Sequence, residues 1–157
     1  MGFLAISTPI GTLTMESRDG ALRKLTFSEL GGKVKEDEIT TETSRQLEEY
    51  FEGKRTEFDI PVQPDGTEFQ KRVWNMLLDI PFGKLTSYGR LAALLGDPKS
   101  VRAVGTANGA NPIAIIIPCH RVIGTNGDLV GYAGGLDNKS WLLKHEGMHG
   151  LDQLKLF

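Results

Sequence analysis

Cysteine is almost missing from this 157-residue chain: Cys119 is the only one, so no disulfide can form within it. Histidine is nearly as scarce, with three residues, His120, His145 and His149, and neither type occurs before Cys119. A Cys/His metal cluster in the N-terminal part is thereby excluded. Long apolar runs are missing too. Phe3-Leu4-Ala5-Ile6 is too short for a signal-peptide core, Pro9 and Gly11 break the chain soon after it, and no stretch approaches the ~20 residues of a membrane span. Neither sign of charge dominates, with 18 Lys/Arg against 20 Asp/Glu. At 39% hydrophobic and 24% charged residues the composition is that of an ordinary globular protein. A lone thiol suits a reducing compartment, so a cytoplasmic protein without membrane contact is expected.

Charge is nevertheless distributed unevenly. Residues 1–65 hold 8 Lys/Arg against 13 Asp/Glu, whereas residues 66–157 hold 10 against 7. Any nucleic-acid contact therefore belongs to the second part. The first part alternates: Phe3–Ser7, Thr12–Glu16 and Leu22–Phe27 read as strands, with Asp19-Gly20 as a hairpin turn. Lys33–Glu38 reads as a loop, Thr41–Phe51 as a helix, and Phe58–Pro61 as a last edge strand.

After Gln63-Pro64-Asp65-Gly66 the texture turns helical. Thr67-Glu68-Phe69-Gln70 fits a capping box ahead of Val73, Met76, Leu77 and Ile80. Ser87 suits the cap of a short helix closed by Gly96, and Asp97-Pro98 opens another through Val101, Val104 and Ala107. The pair forms a helix-turn-helix pattern. Ile113–Pro118 reads as a buried extended segment, and Asp137 as the cap of a last helix ending at Gly147.

Cys119 lies in Ile115-Ile116-Ile117-Pro118-Cys119-His120-Arg121-Val122, and two readings stand for it. A free thiol after an Ile-rich approach is ordinary core material. A thiol next to an imidazole is equally a candidate nucleophile, because the thiolate is the attacking form and needs a base or cation to favour it. A third pattern, His145-Glu146-Gly147-Met148-His149, matches the zinc-hydrolase HExxH spacing, with Asp152 the nearest further ligand. Gly147 inside the motif and the few residues after it weigh against that reading.

The blocks Phe69–Trp74, Ile80–Gly83, Ser87-Tyr88, Ala103–Gly105, Asn108–Pro112, Ile117–Val122, Gly131–Leu136 and Trp141–Leu143, in this order, closely resemble the alkylguanine-DNA alkyltransferases. The resemblance runs from about Gly66 to Gly147 and is looser before it. It implies an α+β protein: a small ribonuclease-H-like α/β domain at 1–62, then a mostly helical, winged helix-turn-helix-like DNA-binding domain at 63–157. The implied reaction is irreversible and stoichiometric. An alkyl group moves from the O6 of guanine, with O4 of thymine a second lesion to consider, onto Cys119 after base flipping. The implied partner is double-stranded DNA, met through the minor groove by a monomer, and no cofactor is needed.

The same resemblance assigns roles. Cys119 is the nucleophile, His120 a base acting through a water, Glu146 its orienting acid, and Asn111 the support of the cysteine turn. Tyr88 helps rotate the nucleotide and donates to the departing base. Arg102 fills the vacated stack, and Ala103 suits close backbone approach. Arg90, Lys99 and Arg121 are candidate phosphate contacts. Val122, Tyr132, Ala133 and Gly134 line the base pocket. Ala133 stands where some relatives have a hydroxyl residue and Ala114 where some have proline, so a roomier pocket is expected. Relatives that have lost the nucleophile bind alkylated DNA as damage flags, which makes a non-catalytic sensor the competing reading.

Overall fold

The computed structural model describes residues 1–28 and 31–148. They form two compact units: Met1–Asp65 with Pro112–Ala114, and Gly66–Asn111 with the chain from Ile115 onward. The architecture is mixed α and β, a small sheet unit followed by a helical one.

In the first unit, β1 (Gly2–Thr8), β2 (Gly11–Arg18) and β3 (Ala21–Thr26) make an antiparallel meander. Leu13, Met15, Leu22 and Leu25 are fully buried and define its core face, with Leu47 and Tyr50 of α1 (Glu38–Phe51) also in the core. That helix starts earlier than its apolar spacing suggests, because Asp37 caps it. The Asp37 carboxylate accepts from Thr40 N at 2.8 Å, and Thr40 Oγ1 accepts from Asp37 N at 3.0 Å. Ser17 Oγ also donates to Asp37, which ties β2 to the start of the helix.

Two segments expected elsewhere complete this unit. Phe58–Pro61 forms no strand; the chain only touches β3 at Val62, where Leu22 N donates to Pro61 O at 2.8 Å. Pro112–Ala114, from the other end of the sequence, hydrogen-bonds the same strand. Leu25 N donates to Pro112 O at 2.9 Å and Ala114 N to Leu25 O at 2.8 Å.

In the second unit, α2 (Glu68–Leu77) begins with the capping box of Thr67 and Gln70 and buries Val73, Trp74 and Leu77. Trp74 Nε1 donates to Ala107 O at 2.8 Å, fixing α2 to the helix Val101–Gly109. Ser87 caps α3 (Tyr88–Leu94) by accepting from Arg90 N at 3.1 Å. Asp97 caps a 3-10 turn, Pro98–Ser100, which leads into α4 (Val101–Gly109). The expected helix-turn-helix is therefore present, with the second helix starting one turn later than Asp97 implies.

Ile113–Pro118 is not an extended run. Ile115 takes a left-handed backbone, φ 69°, which is unfavourable for a β-branched residue, and the chain turns into the 3-10 turn Cys119–Arg121. From there a short strand, β5 (Val122–Ile123), pairs in parallel with β4 (Thr86–Ser87). The last helix, α5 (Leu136–His145), starts after Gly135 rather than at Asp137, which lies in its first turn. It closes with Gly147 at φ 96°, where Gly147 N bonds Lys144 O at 3.0 Å and Met148 N bonds Leu143 O at 2.8 Å.

Removing the Asp37 cap tests how α1 is anchored. Asp37→Ala should lower the unfolding free energy by about 1 kcal/mol and Asp37→Asn by much less. Urea unfolding measures both, and an alanine variant as stable as the parent would contradict the assignment.

Candidate active site

Cys119 opens the 3-10 turn and is 7% exposed, inside a buried stretch that runs from Ile115 through Val122. The turn is held from below: Cys119 N donates to Ile117 O, and Asn111 Nδ2 donates to the same carbonyl, both at 2.8 Å. Asn108, from α4, donates toward Cys119 O at 3.4 Å and toward the Tyr88 hydroxyl at 3.5 Å. One helix thus reaches both the Cys119 turn and the Tyr88 phenol. Burial pushes the Cys119 thiol up from its ordinary value, while a hydrogen bond from Asn111 and the charge of Lys139 pull it down.

His120 and Glu146 are both buried, with His120 Nε2 2.8 Å from Glu146 Oε2. Arg121 grips the same carboxylate with both arms, Nε to Oε1 at 2.7 Å and Nη2 to Oε2 at 3.0 Å. Its remaining arm, Nη1, donates to Ile80 O at 2.7 Å, and its guanidinium carbon lies 5.9 Å from the Phe82 ring centre. The Ile80-Pro81-Phe82-Gly83 block is therefore the seat of Arg121. This corrects the expectation for that residue: a guanidinium 6% exposed and engaged at every arm does not reach phosphates.

The network fixes protonation. Burial opposes the Glu146 anion, but His120 and Arg121 outweigh it and hold the carboxyl well below the usual range. Burial also keeps His120 neutral against the pull of Glu146. An ionised carboxylate only accepts, so the neutral imidazole carries its proton on Nε2. Nδ1 is then a lone pair, buried and without a hydrogen-bond partner among the described residues. That atom is the base available to the site.

The other candidates divide by exposure. Arg102 and Ala103 lie on the exposed side of α4 with Thr106, Gly109 and Ala110, a surface of small residues carrying one cation. Arg90 and Lys99 are exposed. Tyr88 is half-buried, its hydroxyl 3.4 Å from Val130 O, and burial raises its ionisation. Val122 is fully buried, Tyr132 and Gly134 are half-buried, and Ala133 is exposed. Ala114 belongs to the first unit.

Lys139, which the sequence did not single out, is fully buried on α5 and donates to three carbonyls: Val122 at 2.7 Å, Val130 at 2.9 Å and Gly131 at 3.3 Å. Its signal was the helical stripe Lys139, Leu142, Leu143 and Glu146, all buried, in which two charged residues share a face with two leucines.

The HExxH reading loses its geometry. The helix ends at His145, Gly147 is left-handed, and Glu146 is bound to His120 and Arg121. His145 stacks on Trp141 at 4.9 Å, and His149 and Asp152 lie outside the described residues.

Comparison with known proteins agrees in both halves. The family model for the DNA-binding domain of 6-O-methylguanine DNA methyltransferase matches residues 68–148, and that for the family's ribonuclease-like domain matches residues 4–64. A methylated-DNA–protein-cysteine methyltransferase of Methanosarcina acetivorans is 48% identical over 154 residues, covering 94% of this chain and 99% of that protein. The crystal structure of Mycobacterium tuberculosis OGT in complex with DNA superposes with a TM-score of 0.86 at 44% identity, covering 93% of this chain and 92% of that one. An O6-methylguanine DNA methyltransferase from Methanococcus jannaschii gives 0.69 at 32% identity, covering 94% and 95%.

The buried network predicts acid sensitivity. His120 titrates below its ordinary 6.5 and Glu146 below its ordinary 4.5, so the unfolded chain takes up each proton first as pH falls. Stability present near neutrality should decline on acidification through 6.5 and again below 4.5. Urea midpoints unchanged across that range would contradict the network.

Proposed function

This chain belongs to the 6-O-methylguanine DNA methyltransferase family, and on that footing we propose how its residues carry out direct reversal of DNA alkylation. The observation that carries the reading is the buried chain Cys119, His120, Glu146 and Arg121, in which His120 Nδ1 has no hydrogen-bond partner among the described residues.

An alkyl–oxygen bond is stable, so the attacking sulfur must be a thiolate. Burial keeps the resting thiol protonated. His120 Nδ1 takes that proton through a solvent molecule, and Glu146, anchored by Arg121, stabilises the resulting imidazolium. The sulfur attacks the alkyl carbon in line; the S–C bond forms as the C–O bond breaks. The electron pair leaves on the guanine O6. Tyr88, kept protonated by burial, donates to the departing base. A thioether is too stable for water or a side-chain base to reverse, so one molecule repairs one lesion.

The lesion must leave the stack before the sulfur can reach it, at a cost of a few kcal/mol. The exposed surface of α4 suits a minor groove: Ala103, Gly109 and Ala110 allow close approach, and Arg102 projects as the residue that fills the gap. Arg90 and Lys99 are exposed and available to phosphates, and so few cations make an affinity that is modest and salt-dependent. Val122, Tyr132, Ala133 and Gly134 form the wall that receives the base. The protein acts as a cytoplasmic monomer.

Intact-mass spectrometry after mixing with methylated duplex tests the reaction. One methyl gained once, mapped to Cys119 and lost in Cys119→Ala, is expected; tight binding with no mass gain would establish the damage-sensor reading instead. Arg102→Ala should slow repair of duplex far more than reaction with free O6-benzylguanine, and equal slowing would remove Arg102 from flipping. Methylation adds bulk at a cysteine that is 7% exposed, so the spent protein should melt below the unreacted one, and identical melting curves would refute this.

A further inference from the structure

A cation sealed in the interior is expensive unless something there needs it. Lys139 is 0% exposed, and among the described residues no carboxylate pairs with it. Three backbone carbonyls receive its three N–H donors: Val122 just after the nucleophile turn, and Val130 and Gly131 at the start of the loop that continues to Tyr132 and Gly134. A neutral amine has only two N–H groups and would release one of them. The same ammonium is electrostatically coupled to the Cys119 sulfur.

We propose that Lys139 is a positioning residue of the transfer reaction: its ammonium ties the base-receiving loop to the segment following Cys119 and lends that sulfur the positive charge that favours its ionised form. The assignment rests on the alkyl-transfer reading above. A structural filler would not explain the choice, since methionine matches the length of a lysine stem at no cost in buried charge. Facing the ammonium are Cys119 and His120 from the 3-10 turn. Glu146, at the end of the same helix, is taken up by His120 and Arg121, and Tyr132 on the loop keeps its proton, as does Tyr88. Burial lowers the ammonium to about 8, so its charge is lost at mildly alkaline pH.

The experiment measures two rates against pH for the parent, Lys139→Met and Lys139→Arg: methyl transfer from methylated duplex, and modification of Cys119 by iodoacetamide. In the parent, transfer should rise with pH and then turn down as the ammonium is lost. Lys139→Arg, which keeps its charge at every accessible pH, should lack the downturn. Lys139→Met should slow transfer between about tenfold and a hundredfold. It should also move the iodoacetamide midpoint up by about one pH unit, since a cation near the thiol is gone.

An iodoacetamide midpoint that does not move in Lys139→Met, or a parent profile that reaches a plateau without turning down, would overturn the proposal. The parent profile stands on its own if the methionine variant does not fold. A parent that gains no methyl at any pH would refute the alkyl-transfer reading itself, whereas a reactive parent with an indifferent Lys139→Met refutes only the role of Lys139.

Discussion

Glu146 occupies the C-cap of α5, next to the negative end of the helix, where a carboxylate is poorly placed and also buried. It is tolerable because Arg121 and His120 meet both of its oxygens. That one carboxylate decides the tautomer of His120, and so which nitrogen is left unprotonated. It also fixes Arg121, whose third contact to Ile80 O draws in the Ile80–Gly83 turn. Elements far apart in sequence are joined at a single buried charge, and removing one partner would strand the others in a dry interior.

Near that charge, burial holds the Cys119 thiol in its protonated form. Burial raises the thiol, and the side chains that lower it come from other parts of the unit: Asn111 from just past the end of α4, Lys139 from α5. Four residues ahead of the thiol, Ile115 has a left-handed backbone. A β-branched residue in that conformation persists only where its surroundings over-determine it.

Much of the fold is legible in the sequence because its signals are local. The Asp19-Gly20 hairpin, the capping box at Thr67 and the Ser87 cap each depend on residues within four positions of one another, and each is where the sequence puts it. The misreadings are non-local. Ile113–Pro118 reads as extended because it is apolar, but only the residues near its start join the sheet, and a turn follows. Phe58–Pro61 has strand chemistry yet leads only to a single bridge, because β3 offers that edge only briefly. Arg121 reads as a surface cation because arginine usually is one.

The sequence alone determined the two-part organisation, the helix-turn-helix and the identity of the sulfur, since these rest on short-range patterns and on an ordered set of blocks. Tertiary structure alone decided what each charge does. Whether an arginine or lysine faces phosphate or supports a buried site depends on groups distant along the chain, such as Glu146 for Arg121, 25 residues away, and Val122 for Lys139, 17 away. Desolvation, which sets the ionisation of Cys119 and His120, and the two partners that override it at Glu146 belong to the packed interior and have no counterpart along the chain.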